Sequence, residues 1–346
     1  MIQAMDPTPQ RRFERQTRFA PLGTAGQERL EKSRVLLVGC GALGGVLAQT
    51  LVRAGVGTLR LVDRDTVEET NLPRQVLFED RHAREGTPKV EAAVETLGRI
   101  GGPTRLEPEA VHLDVSNVQE LLDGVDLVLD GTDNLSTRYL LNDACVAAGT
   151  PWVYGGVVGG GGLVLAVRPG EGPCLRCIFP EPPPAASLPT CETAGVILPA
   201  VGAVASMQAG LALRLLAAPE RPPVPSLVEV DAWSGETRTI RASRQPGCPC
   251  CVELDLRWLE GSPSRTVRMC GRGAVQVIGR AQEPPDLEAL GRQLEGTVGT
   301  LQHVGGLLRF AVDEHRVTVF QDGRALVEGT EDEGRALAVY DRWVGA

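Results

Sequence analysis

A glycine-rich turn between an apolar segment and an apolar helix most constrains how this chain can fold. Val35–Val38 form a short apolar run typical of a buried strand, and an apolar helix is predicted from Leu43 to Arg53. Glycines in such a turn let the backbone approach a phosphate closely, and the helix N-terminus supplies free N–H groups. The alternative is a tight turn that only lets helix and strand pack. The predicted nucleotide contacts in the turn are Gly39, Gly41, Ala42 and Gly44.

The acidic residue Asp63 closes the next predicted strand, which begins at Thr58. Its distance from the turn is the one expected for a carboxylate that hydrogen-bonds a ribose. Turn, helix and carboxylate together predict nucleotide binding, but they do not say which nucleotide. An NAD-dependent oxidoreductase shares all three features and stays open at this point.

Strands and helices alternate through the first part of the chain. Helices are predicted at Lys89–Ile100 and Ser136–Ala148, with a strand at Val125–Asp130 between them. This order predicts an α/β fold with a Rossmann-like, mostly parallel sheet and helices on both faces. In such sheets ligands bind beyond the carboxyl ends of the strands.

The pattern changes after Pro151, where the sheet is predicted to continue into antiparallel strands. A long small-residue helix, Val196–Leu216, is expected to be interrupted by Pro199. We predict domains at 1–251, with the nucleotide site, and at 252–346, a small α+β unit with no catalytic motif. The predicted antiparallel strands are Trp152–Val158 and Leu163–Val167 around a four-glycine turn, then Leu227–Asp231 and Glu236–Ile240.

Three charged residues near predicted strand ends distinguish a nucleotide cofactor from a nucleotide substrate. Arg74 and Lys89 can neutralise a triphosphate, and Asp133 can hold Mg²⁺. A hydride-transfer enzyme needs no such set. Each alone is more simply a solvated surface charge, but together they favour phosphate chemistry with Mg-ATP as the substrate.

Two CxxC pairs predict a metal site. Cys174 and Cys177 form one pair, and the second lies in Cys248-Pro-Cys-Cys251. Two pairs of thiolates complete the tetrahedral site of a structural Zn²⁺. Cys248 and Cys251 are the expected ligands of the second pair, although Cys250 is a possible replacement for Cys251.

Composition limits the partners and the compartment. The chain has 35 Lys and Arg against 44 Asp and Glu, a net charge of −9, which disfavours nucleic acid as the primary partner. We expect no membrane span and no signal peptide. Nine cysteines without an oxidising context favour metal or sulfur chemistry in the cytoplasm.

Several segments, in one order, resemble the ThiF/MoeB (HesA/MoeB/ThiF) family of ubiquitin-activating-enzyme-like adenylyltransferases. The resemblance spans about residues 13 to 251. The matching stretches are Phe13-Glu-Arg-Gln16, the Gly39–Gly44 turn, Leu61-Val-Asp63, Asn71-Leu-Pro-Arg-Gln75, Pro88-Lys89, Asp130-Gly-Thr-Asp-Asn134, both CxxC pairs and Thr190-Cys191.

The resemblance implies an activity and a set of roles. Members adenylylate the C-terminal glycine of a ubiquitin-like sulfur carrier protein ending in Gly-Gly and release pyrophosphate. By position, Asp63 would hold the ribose, Arg74 and Lys89 the phosphates, and Asp133 Mg-ATP, while Arg15 would reach into the partner subunit's site of a homodimer. The remaining nucleotide contacts implied by the motifs are Asn71, Gln75 and Asn134.

The resemblance also points to sulfur chemistry. Cys191 matches the family's candidate sulfur-handling cysteine, and the alternative is an ordinary small residue. A cysteine desulfurase or other sulfur donor would then be a further partner. Carriers of the thiamine, molybdopterin and tRNA-thiolation pathways all fit this chemistry. A non-catalytic module that only docks a ubiquitin-like tail is the remaining alternative.

Overall fold

The computed structural model describes residues 9–183, 191–220, 222–260, 265–269, 273–279, 285–304 and 306–345. The chain divides into two compact units, Met1–Arg84 with Pro88–Gly261, and Glu85–Thr87 with Ser262–Ala346. The first unit therefore continues past the boundary at residue 252 that the sequence predicts. The physical reason is that Leu256 and Leu259 pack against a core cluster of this unit.

The first unit is built on an eight-stranded sheet of order β3-β2-β1-β4-β5-β6-β7-β8. The strands β3, β2, β1, β4 and β5 pair in parallel, and the pairs from β5 to β8 are antiparallel. The predicted Rossmann-like sheet that continues into antiparallel strands is thus confirmed. Strands β1 to β8 are Arg34–Val38, Thr58–Val62, Arg105–Glu109, Leu127–Asp130, Trp152–Val158, Gly161–Val167, Ser226–Asp231 and Glu236–Arg241.

Helices cover both faces of this sheet. Along β1, Val35 and Leu37 join a core cluster with the helices α4, α6 and α11, whereas Leu36 and Val38 join a second cluster with α7 and α8. This alternation arises because successive strand residues point to opposite faces. Helices α1 to α11 are Pro9–Arg12, Glu14–Thr17, Gly23–Lys32, Ala42–Ala54, Asp80–Glu85, Lys89–Ile100, Val118–Leu122, Leu135–Ala148, Leu175–Ile178, Cys191–Ala194 and Leu198–Ala217.

Two local predictions are wrong. Pro199 does not interrupt α11, because it lies in the first turn, where the missing N–H has no helical partner to lose. The predicted four-glycine turn is shorter, because Gly161 and Gly162 pair in β6 with Val158 and Val157.

Helix α11 bears on the expectation that the chain has no membrane span. Among the described helices, Leu198–Ala217 is the one long and apolar enough to cross a bilayer. Half of its apolar window is buried, and it packs on β4, β5, β6 and α4. Its apolar character is therefore accounted for by its place in the core.

The second unit contains a six-stranded antiparallel sheet of order β11-β12-β13-β14-β10-β9. Helix α12 (Leu287–Leu294) packs on β11 and β12, and α13 (Glu333–Trp343) packs on β9, β10 and β14. Phe310 and Tyr340 are among the buried residues of its own hydrophobic cluster. Strands β9 to β14 are Thr266–Met269, Ala274–Val277, Leu301–Val304, Leu307–Val312, His315–Val319 and Ala325–Glu328.

Candidate functional site

The strand order creates a crevice at the carboxyl ends of β1 and β4. The chain leaves β1 on one side toward β2 and returns on the other side as β4. This is the topological switch point where open α/β sheets bind ligands. The glycine turn follows β1 directly, and α4 begins at Ala42. The sequence-predicted turn therefore lies where the fold predicts a ligand.

Backbone contacts leave no room for a side chain at Gly39, Gly44 and Gly131. Gly39 has a φ of +91°, in the left-handed region that favours glycine. A Cβ atom at Gly44 would lie 1.8 Å from the Gly39 carbonyl oxygen, and one at Gly131 would lie 2.6 Å from the same atom. The start of α4 and the loop after β4 therefore both contact the turn.

Asp63 follows β2 and is held by two backbone N–H groups. Its carboxylate accepts hydrogen bonds from Cys40 at 2.7 Å and from Asp65 at 2.8 Å. Burial raises the pKa of Asp63, while the charge of Lys89 lowers it in part. The bond from Cys40 fixes the carboxylate directly beside the glycine turn.

Lys89 lies at the start of α6 and is only 5% exposed. Its ammonium forms an ion pair with Asp65, with an Nζ–Oδ2 distance of 3.0 Å. The Lys89 N–H also donates to the Asp65 carbonyl oxygen at 2.9 Å. The predicted phosphate ligand is thus brought to the segment after Asp63, where a carboxylate neutralises it.

The loop after Thr70 carries the next predicted contacts. Asn71 is buried, and its side-chain oxygen accepts a hydrogen bond from the Glu68 N–H at 3.1 Å. Arg74 donates to the Thr70 carbonyl oxygen at 2.6 Å. Gln75 is also buried, its Oε1 has no hydrogen-bond partner among the described residues, and its Nε2 lies 3.7 Å from the Cβ position of Gly41. Gln75 therefore contacts the glycine turn, whereas Asn71 and Arg74 bond within their own loop.

Asp133 and Asn134 lie in the loop after β4. Asp133 is exposed and makes no hydrogen bond within the described part of the chain. Asn134 is the N-cap of α8, and its side chain accepts a hydrogen bond from the Thr137 N–H at 3.2 Å. The contact between Gly131 and Gly39 places this loop beside the glycine turn.

A buried ion pair that the sequence analysis did not identify fixes this loop. Arg138 bonds the Asp130 carboxylate at 3.0 Å and also donates to the carbonyl oxygens of Thr132 and Gly155. Asp130 is fully buried, and burial raises its pKa. From α11, Gln208 donates to the Asp130 carbonyl oxygen at 2.8 Å. The available sequence signals were Asp130 at the end of a predicted strand and Arg138 within the predicted helix that follows it.

Two predicted residues are not brought to this edge. Arg15 lies on α2, is exposed, and forms no hydrogen bond or ion pair with any described residue. Phe13 beside it is buried against Gly55. Cys191 is the first residue of α10, but its side chain lies outside the described set. The proline-rich segment 184–190 before it also lies outside the described residues.

The four predicted metal ligands converge in a buried cluster. The sulfur atoms of Cys174 and Cys248 are 3.6 Å apart and those of Cys177 and Cys251 3.5 Å, and all four lie within 4.8 Å of one another. A tetrahedral zinc with bonds of about 2.3 Å needs sulfur atoms about 3.8 Å apart, so the set fits. Cys251 therefore belongs to the group, whereas the Cys250 sulfur accepts a hydrogen bond from Asn142.

Comparison with known proteins agrees with this geometry. The ThiF family model matches residues 13–250. The chain belongs to the ThiF family. Individual relatives are also similar. The sulfur carrier protein ThiS adenylyltransferase of Bacillus subtilis is 37% identical to this chain over 337 residues. The match covers 96% of this chain and 99% of the relative. The sulfur carrier protein adenylyltransferase of Thermus thermophilus is 41% identical over 247 residues, 69% of this chain and 90% of the relative.

Solved structures show the same fold. The crystal structure of Escherichia coli MccB with ATP has a TM-score of 0.61 at 19% identity, and the match covers 71% of this chain and 75% of MccB. At this identity the likeness concerns the fold alone. The match with the Bacillus relative spans nearly the whole chain, so Ser262–Ala346 of the second unit, which lie beyond the ThiF family match, also have a counterpart in that protein.

Proposed function

We propose that this ThiF-family chain is an ATP-dependent adenylyltransferase that activates the C-terminal glycine of a ubiquitin-like sulfur carrier protein. One observation carries the proposal. The glycine turn, the Asp63 carboxylate, Lys89 and the Asp133 loop lie at one edge of the sheet. The relatives' names state the same reaction class. Neither the charges at this edge nor the relatives favour an NAD-dependent oxidoreductase.

For this reaction the protein must align the two reactants and stabilise negative charge. The carrier's terminal carboxylate attacks the α-phosphorus of Mg-ATP; a new P–O bond forms to the carboxylate, and the bond to pyrophosphate breaks. A C-terminal carboxylate is already ionised at neutral pH, so no protein base is needed. What remains is to hold both reactants in line and to balance negative charge.

The residues at the edge divide this task. The N–H groups of the glycine turn and the start of α4 would hold phosphate oxygens, and Asp63 would hold the ribose. Lys89 and Arg74 would neutralise the phosphates, and Asp133 would orient the Mg²⁺ that ATP brings. Asn71, Gln75 and Asn134 would complete the pocket.

The assembly we propose is a homodimer in which Arg15 completes the partner subunit's site. Its support is the exposed guanidinium on α2, next to the buried Phe13 that anchors this segment. A structural Zn²⁺ would be held by the four converging cysteines and would tie the segment after β8 to the segment after β6. We place the enzyme in the cytoplasm, where thiols stay reduced.

The test is carrier-dependent exchange between ATP and pyrophosphate. Because Asp133 is proposed to orient Mg-ATP, Asp133→Ala is expected to lower the exchange rate by about 100-fold or more. Asp123→Ala, at an exposed aspartate after α7, is the matched control and should exchange at the wild-type rate. Wild-type exchange in Asp133→Ala would contradict the assignment. Exchange in the wild-type chain also excludes a module that only docks the carrier.

Mass spectrometry can identify the carrier directly. Each carrier of the host, incubated with the chain and Mg-ATP, would be examined by mass spectrometry for the added mass of AMP. Carriers serving thiamine, molybdopterin or tRNA thiolation are all candidates. The Haloferax volcanii relative named SAMP-activating enzyme E1, 39% identical over 73% of this chain, illustrates how widely carriers vary among relatives.

Sulfur transfer through Cys191 is a separate proposal. Its thiolate would attack the acyl-adenylate of the carrier and release AMP as the thioester forms, or it would take the outer sulfur of a persulfide on a donor such as a cysteine desulfurase, whose own thiol then leaves. With Cys191→Ser we expect normal adenylylation but at least about 10-fold slower thiocarboxylate formation, since the hydroxyl is a far weaker nucleophile than a thiolate. Thiocarboxylate formation at the wild-type rate would remove Cys191 from the mechanism.

A further inference from the structure

The fully buried side chain of Asn142, on α8, bridges the two cysteine turns. Its oxygen accepts a hydrogen bond from the Leu175 N–H at 2.8 Å, and Leu175 follows Cys174. Its amide N–H donates to the sulfur of Cys250 at 3.2 Å, between Cys248 and Cys251. One amide group thus contacts each half of the four-cysteine cluster.

The neighbouring residue adds a second connection. Asp143 is also fully buried, and its carboxylate accepts hydrogen bonds from Arg176 and from the Trp258 N–H, both at 3.3 Å. Arg176 lies between Cys174 and Cys177, and it donates to the carbonyl oxygen of Asp255 at 2.7 Å. The turn that contains Cys174 and Cys177 and the segment after Cys251 are therefore tied to the same two residues of α8.

We propose that Asn142 is a positioning residue for the metal site. Two of its three side-chain hydrogen bonds, to Leu175 and Cys250, hold the two cysteine turns at the separation that a tetrahedral ion requires before the ion arrives, and the third is donated to Asp143. This inference rests on the zinc assignment in the proposed function. Cys250 also takes part: it is buried and lies outside the proposed ligand set, and its sulfur accepts the hydrogen bond by which Asn142 holds the turn from Cys248 to Cys251.

The physical argument is one of preorganisation. Groups that orient metal ligands without touching the metal typically change metal affinity by about 10- to 100-fold when they are removed. Replacing Asn142 with alanine leaves the buried N–H of Leu175 without its acceptor and frees the second turn. The affinity for zinc is expected to fall, because the metal itself must then order the two cysteine turns.

Zinc affinity of the full chain, measured by competition with a chromogenic chelator, tests the proposal. Asn142→Ala is expected to bind zinc about 10- to 100-fold more weakly than wild type. Asn117→Ala is the matched control, because the Asn117 side chain likewise accepts from a backbone N–H, that of Asp114, and donates through its amide, to the His112 carbonyl oxygen, away from the cysteines. Cobalt(II) in place of zinc reports the ligand geometry, and its thiolate absorption should shift in the Asn142 variant alone.

A second pair of variants applies even where Asn142→Ala does not fold. Cys250→Ser keeps an acceptor for the Asn142 N–H and Cys250→Ala does not, so the alanine variant should bind zinc more weakly than the serine variant. The inference would be overturned if Cys250→Ser and Cys250→Ala both bound zinc with wild-type affinity. Wild-type affinity in a folded Asn142→Ala chain would overturn it as well. A wild-type chain that binds no zinc overturns the zinc site as well, and neither result alters the adenylylation assay.

Discussion

At Gly44 the backbone of α4 touches the turn that precedes it. The Gly39 carbonyl oxygen lies 1.8 Å from the Cβ position of Gly44 and 2.6 Å from that of Gly131, so three backbone segments meet at one atom. Repacking cannot relieve such a contact, because the clashing atom belongs to the backbone. Gly39 and Gly44 of the motif are therefore required by the fold itself, whether or not a phosphate binds.

We expect Gly44→Ala to destabilise the first unit by about 3 kcal/mol or more, because the new Cβ forces the turn away from α4. Gly98→Ala is the control: it lies in α6, has no atom within 4 Å of its Cβ position, and should gain up to about 1 kcal/mol from helix propensity. Urea unfolding followed by circular dichroism measures both. Equal midpoints for the two variants would refute the steric argument.

Among individual residues, the sequence predicted those whose chemical type and spacing mark a known kind of site. Asp63 follows a strand at a recognisable spacing, and the four cysteines have a metal-ligand spacing. Gly131 and Asn142 could not be found in the same way, because their roles depend on contacts with residues far away in the chain. The pairing of Lys89 with Asp65 was missed too, since nothing in the sequence orients the two side chains toward each other.

Among the elements, α8 has the most consequential position. Its first turn carries Asn134 and Arg138, and Arg138 holds the end of β4 through the buried Asp130. Its middle carries Asn142, beside the cysteines. One helix therefore connects the loop after β4 with the four-cysteine cluster.

Removing the arginine alone should be costly. Arg138→Met leaves the Asp130 carboxylate buried without its partner, and we expect a loss of about 3 to 5 kcal/mol. Arg99→Met, at an exposed pair with Glu79, should cost no more than about 1 kcal/mol. Adding Asp130→Asn to Arg138→Met should restore part of the stability in thermal unfolding. A loss equal to that of Arg99→Met would contradict the ion pair's assigned role.

Elements with strong periodicity were predicted closely, such as α6 at Lys89–Ile100. Strand β3 was missed because Arg105–Glu109 contains Pro108 and has few apolar residues, as an edge strand can. The interruption at Pro199 was mispredicted for a positional reason. A proline is disruptive inside a helix but acceptable in its first turn, and the sequence pattern alone did not locate the start of α11.

For the whole molecule, the open question is how many chains build one site. The sheet edge of a single chain holds the proposed contacts for ribose, phosphates and Mg²⁺, while Arg15 lies on α2 without a partner among the described residues. In a symmetric dimer each Arg15 would serve the other chain's site.

Mixing two inactive variants tests this arrangement. Arg15→Ala and Asp133→Ala should each be inactive, and mixed dimers would regain one intact site. Random pairing of equal amounts then gives about one quarter of wild-type exchange activity, because half of the dimers are mixed and each has one good site. A mixture of Asp133→Ala with Lys89→Ala should regain no exchange activity, because each chain would supply both of these residues to its own site. The absence of recovery in the Arg15 mixture would argue for sites within single chains.

The ion pair between Lys89 and Asp65 gives the resting enzyme a tethered counter-ion. Free phosphate or pyrophosphate would have to displace a carboxylate that never diffuses away, so small anions gain little from this lysine. A nucleotide would compete, because in the proposed site its ribose and magnesium would make further contacts at Asp63 and Asp133. After adenylylation, pyrophosphate has lost the ribose, and Asp65 can reclaim the lysine. The carboxylate would thereby act against product inhibition and favour departure of the leaving group.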